Sequence, residues 1–414
     1  MSDILPTDWK AGHSIIKVIG VGGGGCNAVT YMFNQKIQGC DFIVCNTDSQ
    51  ALQKSSVPTK LQLGKGLGAG TDPVKGRNAA LEAEEQIAAT ILDTGTQMLF
   101  ITAGMGGGTG TGAAPVIADM AKKRGILTVA VVTLPFHNEG NESLSKAIDG
   151  IHELEKCVDS MLIINNEKLY ECYGDLLIQD AFPKADEVLA TAVRGVIEII
   201  TTAGHINVDF EDVSKMMRNS GMALMGCGHG SGEHRIQDAI KEALESPLLN
   251  DFDLKTAKNV LINITVGKND KGLLMRELDS INDKINEYTG NANNFKRGII
   301  FDENPEVGDK ISITVIATGF RMNMLSNITD VNLGNLIMID NDFVYDRKAS
   351  QAGGEIELPE GQGNIKIGVI DNSNVRKFHF TDGTVPTLIV GEGQSISRLE
   401  SETAIRRALL KKDN

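Results

Sequence analysis

The sequence predicts an α/β protein with a doubly wound, mostly parallel sheet, then a long central helix and a smaller α+β region. Three observations predict this class: apolar strand-sized runs without polar alternation, helical patterns between them, and glycine-rich segments at their junctions. Strands of a parallel sheet are buried on both faces, so their sequences are apolar throughout. The 414 residues are enough for more than one hydrophobic core.

Five runs rich in Val and Ile are the predicted strands of the sheet. Helical patterns at 26–38 and 113–124 lie between some of them, and each is followed by a glycine, Gly39 or Gly125, that suits a left-handed helix cap. Because strands and helices alternate, we expect parallel pairing through helical crossovers. The five runs are SIIKVIG at 14–20, DFIVCN at 41–46, MLFITA at 98–103, LTVAVVT at 127–133 and SMLIINN at 160–166.

The second half of the chain begins with a helical pattern at 184–202 that is apolar around much of its circumference, as expected of a helix buried between two bodies. Helical and strand-like runs follow it, with a predicted glycine-rich loop, MGCGHGSGEH, at 225–234. This mixture predicts the smaller α+β domain. The predicted boundaries are 1–12 for a tail, 13–182 for the sheet domain, 183–203 for the central helix, 204–318 for the α+β domain and 319–414 for an extension with linker and terminal peptide.

Net charge and composition exclude several classes of partner. The formal net charge of −14 argues against nucleic acid, because binding a phosphate backbone requires a basic surface. The apolar runs are strand-sized, and the first residues lack a basic and apolar signal, so we expect neither membrane insertion nor secretion. Six cysteines without C-x-x-C spacing suit a reducing compartment. The prediction is a soluble cytoplasmic protein.

Three glycine-rich segments occur where strands are expected to end: GVGGGG at 20–25, GLGAGTDP at 66–73 and GMGGGTGTG at 104–112. Ordering glycine costs backbone entropy, so these segments indicate a ligand held close to the main chain. Backbone N–H groups at a helix N-terminus bind phosphate, and two such corners at one sheet edge can hold a chain of phosphates. The sequence has no Walker-type G-x-x-x-x-G-K-[ST] loop.

One glycine segment taken alone supports a different class of enzyme. Gly20, Gly22 and Gly25 fit the G-x-G-x-x-G dinucleotide pattern, and Asp48 lies about twenty residues further on, where that fold keeps its ribose acid. A nicotinamide-dependent oxidoreductase is therefore an alternative. It leaves the segment at 104–112 unexplained.

The segment GGGTGTG and the motifs around it resemble the tubulin/FtsZ family of GTPases. The resemblance runs from about residue 14 to residue 318 and includes IKVIGVGGGG, CNTDSQAL, GLGAG, AGMGGGTGTGAAPV, NVDFEDV and SPLL in that order. It implies a tubulin-like nucleotide domain that binds GTP or GDP, with Mg²⁺ on the phosphates and no metal site made by protein ligands alone. It also implies head-to-tail filaments of this chain, with hydrolysis at the boundary between subunits.

The resemblance further implies a cellular role and a location in the cell. A member of this family would form the ring that divides a bacterial cell, in the cytoplasm at mid-cell, and bind membrane-tethering and division proteins through its C-terminal tail. The last residues, ETAIRRALLKK, have the basic character of the family's end peptide but lack its proline and aromatic residue.

By position, the resemblance assigns the residues that surround the nucleotide. The glycine segments and the end of the second strand hold the phosphates and sugar, a glutamate faces the ribose, and three residues surround the base. A carboxylate or amide that accepts from guanine's N1–H and N2–H₂ would favour guanine over adenine. The assigned residues are Gly22, Gly23, Cys26, Asn46, Asp48, Ala69, Gly70, Gly106, Gly107, Gly108, Thr109, Gly110, Glu139, Ser143, Asn166, Phe182 and Asp186.

The motif NVDFEDV at 207–213 has two interpretations. On the residues alone, Asp209 is a helix N-cap with Asp212 in the first turn, where the helix dipole favours acidic groups. The resemblance instead assigns Asn207, Asp209 and Asp212 to the far side of the subunit, where they would position water against the neighbour's GTP.

One departure from the family pattern bears on activity. Ser143 stands where an arginine usually contacts the nucleotide, and Lys146 is nearby. Loss of a guanidinium weakens a charge-assisted contact. A tubulin-like filament that binds GTP but hydrolyses it weakly, with a role in segregation or another structural process, is therefore a second alternative.

Overall fold

A computed structural model describes residues 14–167, 178–201, 209–244, 254–269, 272–289, 294–302 and 308–320, together with two short strands further on. By its internal contacts the chain divides into two units, Met1–Ile328 and Thr329–Asn414. In the second unit the description is limited to the antiparallel pair Glu355–Ile356 and Ile365–Lys366. The predicted tail at 1–12 and most of the extension at 319–414 lie outside the described residues.

Ten strands of the first unit form one sheet. Their bounds are β1 Ile16–Val21, β2 Asp41–Asn46, β3 Thr59–Gln62, β4 Met98–Gly104, β5 Leu127–Leu134, β6 Ser160–Asn165, β7 Gly221–Gly230, β8 Asn259–Gly267, β9 Asn294–Asp302 and β10 Ile311–Phe320. The order across the sheet is β3-β2-β1-β4-β5-β6-β7-β10-β8-β9.

Helices cover this sheet and connect its strands. Two single turns, His137–Glu139 and Leu254–Thr256, are 3₁₀-helical, and a π-helical turn, Ala88–Leu92, follows the fourth helix. The α-helices are α1 Gly22–Asn34, α2 Ser49–Lys54, α3 Pro73–Glu82, α4 Glu84–Ile87, α5 Thr109–Lys123, α6 Asn141–Cys157, α7 Ile178–Thr201, α8 Phe210–Met217, α9 Arg235–Leu244 and α10 Met275–Thr289.

The predicted parallel sheet is confirmed. Strands β1 to β6 all pair in parallel, with β1 between β2 and β4. A short parallel pairing of Ser160–Leu162 with Gly221–Ala223 continues the sheet into the second half of the unit. There β10 is antiparallel to both β7 and β8, and β8 is parallel to β9.

Two helices begin earlier than predicted. α1 starts at Gly22 rather than at 26, and α5 starts at Thr109 rather than at 113. Low helix propensity is overridden here because the first turn packs directly on a strand: a Cβ added at Gly25 would lie 2.2 Å from the carbonyl oxygen of Thr102 on β4. The predicted left-handed cap after α5 is confirmed, since Gly125 has φ +74°.

The glycine-rich loop predicted at 225–234 is wrong over most of its length, because Gly221–Gly230 is strand β7. Its glycines instead allow α9 to approach the strand. A Cβ added at Gly228 would lie 1.9 Å from the carbonyl oxygen of Ala239, and one at Gly230 would lie 1.9 Å from that of Arg235. Glycine in a strand marks close approach of another backbone.

Helix α7 places its apolar face in the core. Leu189, Val193 and Ile197 are at most 4% exposed and pack in one cluster with Met32 of α1 and Val213 of α8. The predicted central helix is thus a buried α-helix, beginning at Ile178 rather than at 183. Among the described residues, no helix is long and apolar enough to cross a bilayer.

Arg235 joins the start of α9 to α10 and to two loops in the second half of the unit. Its guanidinium is 6% exposed, pairs with Glu277 of α10 at 2.8 Å, and donates to the carbonyl oxygens of Gly272 and Asp309, each at 2.9 Å. We expect Arg235→Met to lower the free energy of unfolding by about 3 kcal/mol, because it removes the cation paired with Glu277 and the donor to two carbonyl oxygens, while Glu277 keeps the Leu274 N–H. Urea unfolding measures this, with Lys284→Met as an exposed-pair control; a loss below about 0.5 kcal/mol would contradict it.

Candidate nucleotide site

Two glycine segments meet at the carboxyl end of neighbouring strands. β1 and β4 pair in parallel, so Val21 lies beside Ala103 and both strands end at the same edge of the sheet. α1 begins directly after β1, and four residues separate the end of β4 from the start of α5. The N-termini of two helices therefore converge at one point, where their N–H groups and dipoles favour an anion.

The converging segments pack against each other through glycine. Gly22 has φ +75°, and a Cβ added there would lie 2.8 Å from the amide nitrogen of Gly110. A Cβ added at Gly110 would lie 2.5 Å from the carbonyl oxygen of Gly104. Larger side chains would force the two corners apart.

Neither helix has a side-chain cap at this end. Among the described residues, no side chain accepts from the first N–H groups of α1 or α5. By contrast, α2, α3 and α8 are each capped by an aspartate: Asp48, Asp72 and Asp209. Uncapped N–H groups need another acceptor, and a ligand can supply it.

A cavity of about 530 Å³ opens in front of these helix ends. Gly23, Gly70 and Gly107 line it, and a Cβ added at any of them would have no atom within 4 Å, so their open sides face free space. Most of the predicted nucleotide residues line this cavity. They are Gly23, Asn46, Asp48, Ala69, Gly70, Gly107, Gly108, Thr109, Gly110, Glu139, Asn166 and Asp186.

Four predicted residues support the cavity wall or lie behind it. Gly22 lies beneath the wall, and Gly106 donates its N–H to Thr111 Oγ1 at 2.9 Å. The Ser143 carbonyl oxygen would lie 2.8 Å from a Cβ on Gly106, so Ser143 packs behind the second segment. Cys26 is 3% exposed, its Sγ faces the carbonyl oxygens of Gly20 and Cys45, and burial raises its pKa to about 12.

Polar side chains after β2 connect the cavity's walls. Asn46 Oδ1 accepts from the Asp48 N–H at 3.2 Å, and Asp48 Oδ1 accepts from the Gln50 N–H at 2.8 Å. Thr47 and Thr109 join their hydroxyls at 2.6 Å, which links this corner to the start of α5. Asp48 is therefore committed to capping α2 while one side of it lines the cavity.

Two further residues that line the cavity, Asn166 and Asp186, carry acceptor oxygens. Asn166 Oδ1 is buried and has no hydrogen-bond partner in the described part of the chain. Asp186 on α7 lies in an apolar setting, and burial raises the pKa of its carboxyl to about 7. A buried acceptor that lacks a donor is costly. The part of the cavity beside Asn166 therefore suits a ligand that supplies N–H groups.

Glu139 lines the cavity, and Lys146 contacts one of the loops that form its wall. Glu139 Oε1 accepts from the Phe136 N–H at 2.9 Å. Lys146 Nζ donates to the Thr71 carbonyl oxygen at 3.1 Å and pairs with Glu142 at 2.6 Å. Lys146 thus contacts the loop before α3 and is not among the residues that line the cavity.

Sequence reasoning missed several residues of the wall. Thr47 stands between two predicted residues and could have been found as a hydroxyl at a strand end. Others, such as Phe136, follow β5, where no glycine segment marked the corner. The missed residues include Gly24, Asn27, Thr47, Gly68, Thr71, Thr133, Pro135, Phe136 and Leu189.

The predicted catalytic motif does not line this cavity. Asp209 caps α8, with Oδ1 accepting from the Asp212 N–H at 2.7 Å, which confirms the helix-cap interpretation. Asp212 Oδ1 lies 2.7 Å from Lys296 Nζ on β9. Asn207 and the side chain of Phe182 lie outside the described residues. Within the described ranges, no group of three or more His, Cys, Asp or Glu side chains could hold a metal ion.

Family models match two parts of the chain. The model for the tubulin/FtsZ family GTPase domain matches residues 15–174, and the model for the FtsZ family C-terminal domain matches residues 221–321. The first match contains the glycine segments described above, and the second contains β7 to β10.

Individual relatives extend these matches over most of the chain. A cell division protein FtsZ from Pseudomonas putida is 49% identical over 398 residues, covering 95% of this chain and 96% of its own. One from Porphyromonas gingivalis is 46% identical, covering 81% and 73% respectively. A solved FtsZ dimer from M. jannaschii superposes with a TM-score of 0.67 at 40% identity, over 73% of this chain and 88% of that one.

Proposed function

Because the chain belongs to the tubulin/FtsZ family, we propose that it is a self-assembling GTPase that forms filaments of the bacterial cell-division ring. The observation that carries this proposal is the pair of uncapped helix N-termini that converge on an open glycine-lined cavity. Main-chain N–H groups from both corners would bind the phosphates of GTP or GDP.

Guanine fits the other end of the cavity. Its N1–H and N2–H₂ are adjacent donors, and the Asn166 and Asp186 side chains offer the acceptors. Adenine presents no such pair of donors on that edge, so the site would reject it by leaving both acceptors unsatisfied. We further propose that Phe182, one turn before Asp186 on α7, stacks on the base.

Affinity for GTP is expected to depend on pH through Asp186. Its raised pKa of about 7 means that the carboxyl is protonated below neutrality, where one oxygen becomes a donor and the acceptor strength of the group for guanine's N–H groups falls. We expect the dissociation constant for GTP to fall about tenfold between roughly pH 6 and pH 8, as the carboxylate forms. Calorimetric titration at both pH values measures this.

Asp186→Asn provides the control for that titration. The variant should bind GTP weakly at both pH values, with no dependence in this range. Since the buried carboxylate no longer has to ionise, its free energy of unfolding near pH 8 should rise by roughly 1–3 kcal/mol. A wild-type affinity that is flat with pH would contradict the assignment of Asp186.

Hydrolysis would need a second subunit. Among the described residues, three carboxylates line the cavity: Asp48 caps α2, Glu139 accepts from the Phe136 N–H, and Asp186 is the one proposed to face the base. We propose that Asn207, Asp209 and Asp212 of a neighbouring copy position the attacking water. The water oxygen would bond to the γ-phosphorus while the bond to the β–γ bridging oxygen breaks, releasing GDP and phosphate.

Mg²⁺ belongs to this proposal as a partner of the nucleotide. The described residues offer it no cluster of acidic ligands, which fits an ion held mainly by phosphate oxygens and water. When bound, it would neutralise charge on the terminal phosphates. The Thr47 and Thr109 hydroxyls and the glycine N–H groups would orient the triphosphate.

We place the protein in the cytoplasm at the division site, with residues 319–414 as the region that binds membrane-tethering and division proteins. The relatives with the same domains are cell division proteins, and the solved M. jannaschii relative is a dimer, which supports assembly from copies. The basic end of the chain supports a tail that binds other proteins.

A filament with weak hydrolysis is kept as a second candidate by one observation. Ser143 packs behind Gly106, and Lys146 is engaged with Thr71 and Glu142, so neither takes the place of the family's arginine in the cavity. The nicotinamide alternative loses its support, because the chain belongs to the tubulin/FtsZ family.

Light scattering and phosphate release, followed in one sample after GTP is added, test the proposal. A rise in scattering that decays as phosphate accumulates supports a hydrolysing filament. Persistent scattering with little phosphate supports the weakly hydrolysing filament. Scattering that does not respond to GTP contradicts both.

A further inference from the structure

Lys296 forms an ion pair with Asp212 on α8, the helix that carries the predicted catalytic residues. Its Nζ lies 2.7 Å from Asp212 Oδ1, and the two side chains are 47% and 29% exposed. The pair lies outside the nucleotide cavity of its own subunit, on the part of the chain that the family's GTPase-domain model does not cover. Lys296 takes no part in the function proposed above.

The backbone of α8 is fixed at both ends by other residues. At its C-terminal end, Asn259 Nδ2 and Thr318 Oγ1 both donate to the Met216 carbonyl oxygen at 3.0 Å. At its first turn, Asp209 accepts from the Asp212 N–H. These bonds set the helix axis but leave the rotamer of the Asp212 side chain undetermined. The ion pair with Lys296 is what orients that carboxylate.

Strand β9 presents Lys296 from a defined direction. Its register is set by pairing with β8, where Leu261 lies beside Lys296. The next residue, Arg297, donates to Asn282 Oδ1 on α10 at 2.8 Å. Successive side chains of a strand point to opposite faces, so Lys296 is directed to the α8 side and Arg297 to the α10 side.

Charge gives the pair a consequence for catalysis. Two carboxylates brought against a neighbour's triphosphate would meet strong like-charge repulsion. A lysine ammonium beside one of them offsets part of that repulsion while leaving Asp212 Oδ2 available. A partly exposed pair is weak as a source of stability, so its effect on folding is expected to be small.

We propose that Lys296 is a positioning residue for GTP hydrolysis: it orients the Asp212 carboxylate toward the neighbouring subunit's nucleotide and supplies positive charge at that contact. The inference rests on the proposed function, in which Asp212 acts on the neighbour's GTP. Misplacing a catalytic group by about 1 Å can cost up to about 100-fold in rate.

The test measures nucleotide affinity, polymer mass and turnover separately in Lys296→Met and Lys296→Arg. In Lys296→Met we expect kcat per polymerised subunit to fall about tenfold, with GTP affinity of the isolated subunit within about twofold of wild type. Lys296→Arg should restore most of the turnover, because it restores the cation. Lys284→Met is the matched control, since Lys284 pairs with Glu287 at 2.9 Å on exposed α10 and should leave kcat unchanged.

Asp212→Ala and the double variant Asp212→Ala/Lys296→Met separate this inference from the proposed function. If Asp212→Ala retains turnover, the proposed trans site fails. If Asp212→Ala loses turnover and Lys296→Met retains it, only the positioning role fails. We expect the double variant to be no slower than Asp212→Ala alone, because both changes act through one carboxylate. GTP affinity and polymer mass close to wild type in Lys296→Met check that a lower rate is not a folding defect.

Discussion

Asp212→Ala is expected to bind GTP as tightly as the wild type and to lose at least about 100-fold of its turnover. The nucleotide cavity lies at the ends of β1 and β4, and Asp212 is not among the residues that line it. Its removal therefore leaves binding intact. A group that acts only when a neighbour docks contributes to the transition state and not to the affinity of the single subunit.

Variants of Asp209 separate capping from chemistry in the same motif. Asp209→Asn keeps an acceptor for the Asp212 N–H, so the free energy of unfolding should change little, while Asp209→Ala should lose about 1 kcal/mol. Loss of turnover in Asp209→Asn would indicate that the charge itself is needed. Equal loss of GTP affinity and turnover in Asp212→Ala would contradict the trans assignment.

Gly107→Ala is expected to weaken GTP binding by about 10–100-fold without destabilising the nucleotide-free protein. Gly107 has no positive φ, and a Cβ added there meets no atom within 4 Å, so the empty fold accommodates it. The methyl group would occupy space in which the phosphates are expected to lie. Calorimetric titration with GTP and thermal unfolding of the free protein measure the two effects separately.

Gly112→Ala is the contrasting variant, three residues into α5. A Cβ at Gly112 would lie 1.9 Å from the Pro73 carbonyl oxygen, so we expect a loss of about 1–3 kcal/mol in the free energy of unfolding. If Gly107→Ala instead bound GTP normally, the phosphates would not lie against the glycine segment at 104–112.

The sheet was predictable because its strands are buried on both faces. Their sequences are therefore apolar throughout, without the polar alternation of a half-exposed strand. Val18, Phe100 and Val131 are all at most 2% exposed, as uninterrupted apolar runs require. Helix starts were less predictable, since contacts between distant segments decided them. The first turn of α1 packs so closely on β4 that the Thr102 carbonyl leaves no room for a side chain at Gly25, and no local pattern contains that information.

The candidate site divides in the same way. The glycine-rich segments at 20–25 and 104–112 could be predicted as phosphate-binding, because binding through backbone N–H groups favours glycine and so shows in the composition. The assignment of Asn166 and Asp186 came only from the resemblance, since an isolated asparagine or aspartate carries no local signal. Lys296 was not found, because its contact with Asp212 joins residues 84 positions apart, on β9 and α8.

Phosphate release from a mixture of two impaired variants, at a GTP concentration that saturates the wild type but not Gly107→Ala, tests the central claim most directly. Gly107→Ala is expected to damage the nucleotide cavity, and Asp212→Ala the surface proposed to contact a neighbour's nucleotide. If each site is built from two subunits, an equal mixture should recover about a quarter of the wild-type rate, since random neighbours pair an intact cavity with an intact face one time in four. A mixture whose rate of phosphate release stays at the level of the two single variants would contradict a shared site.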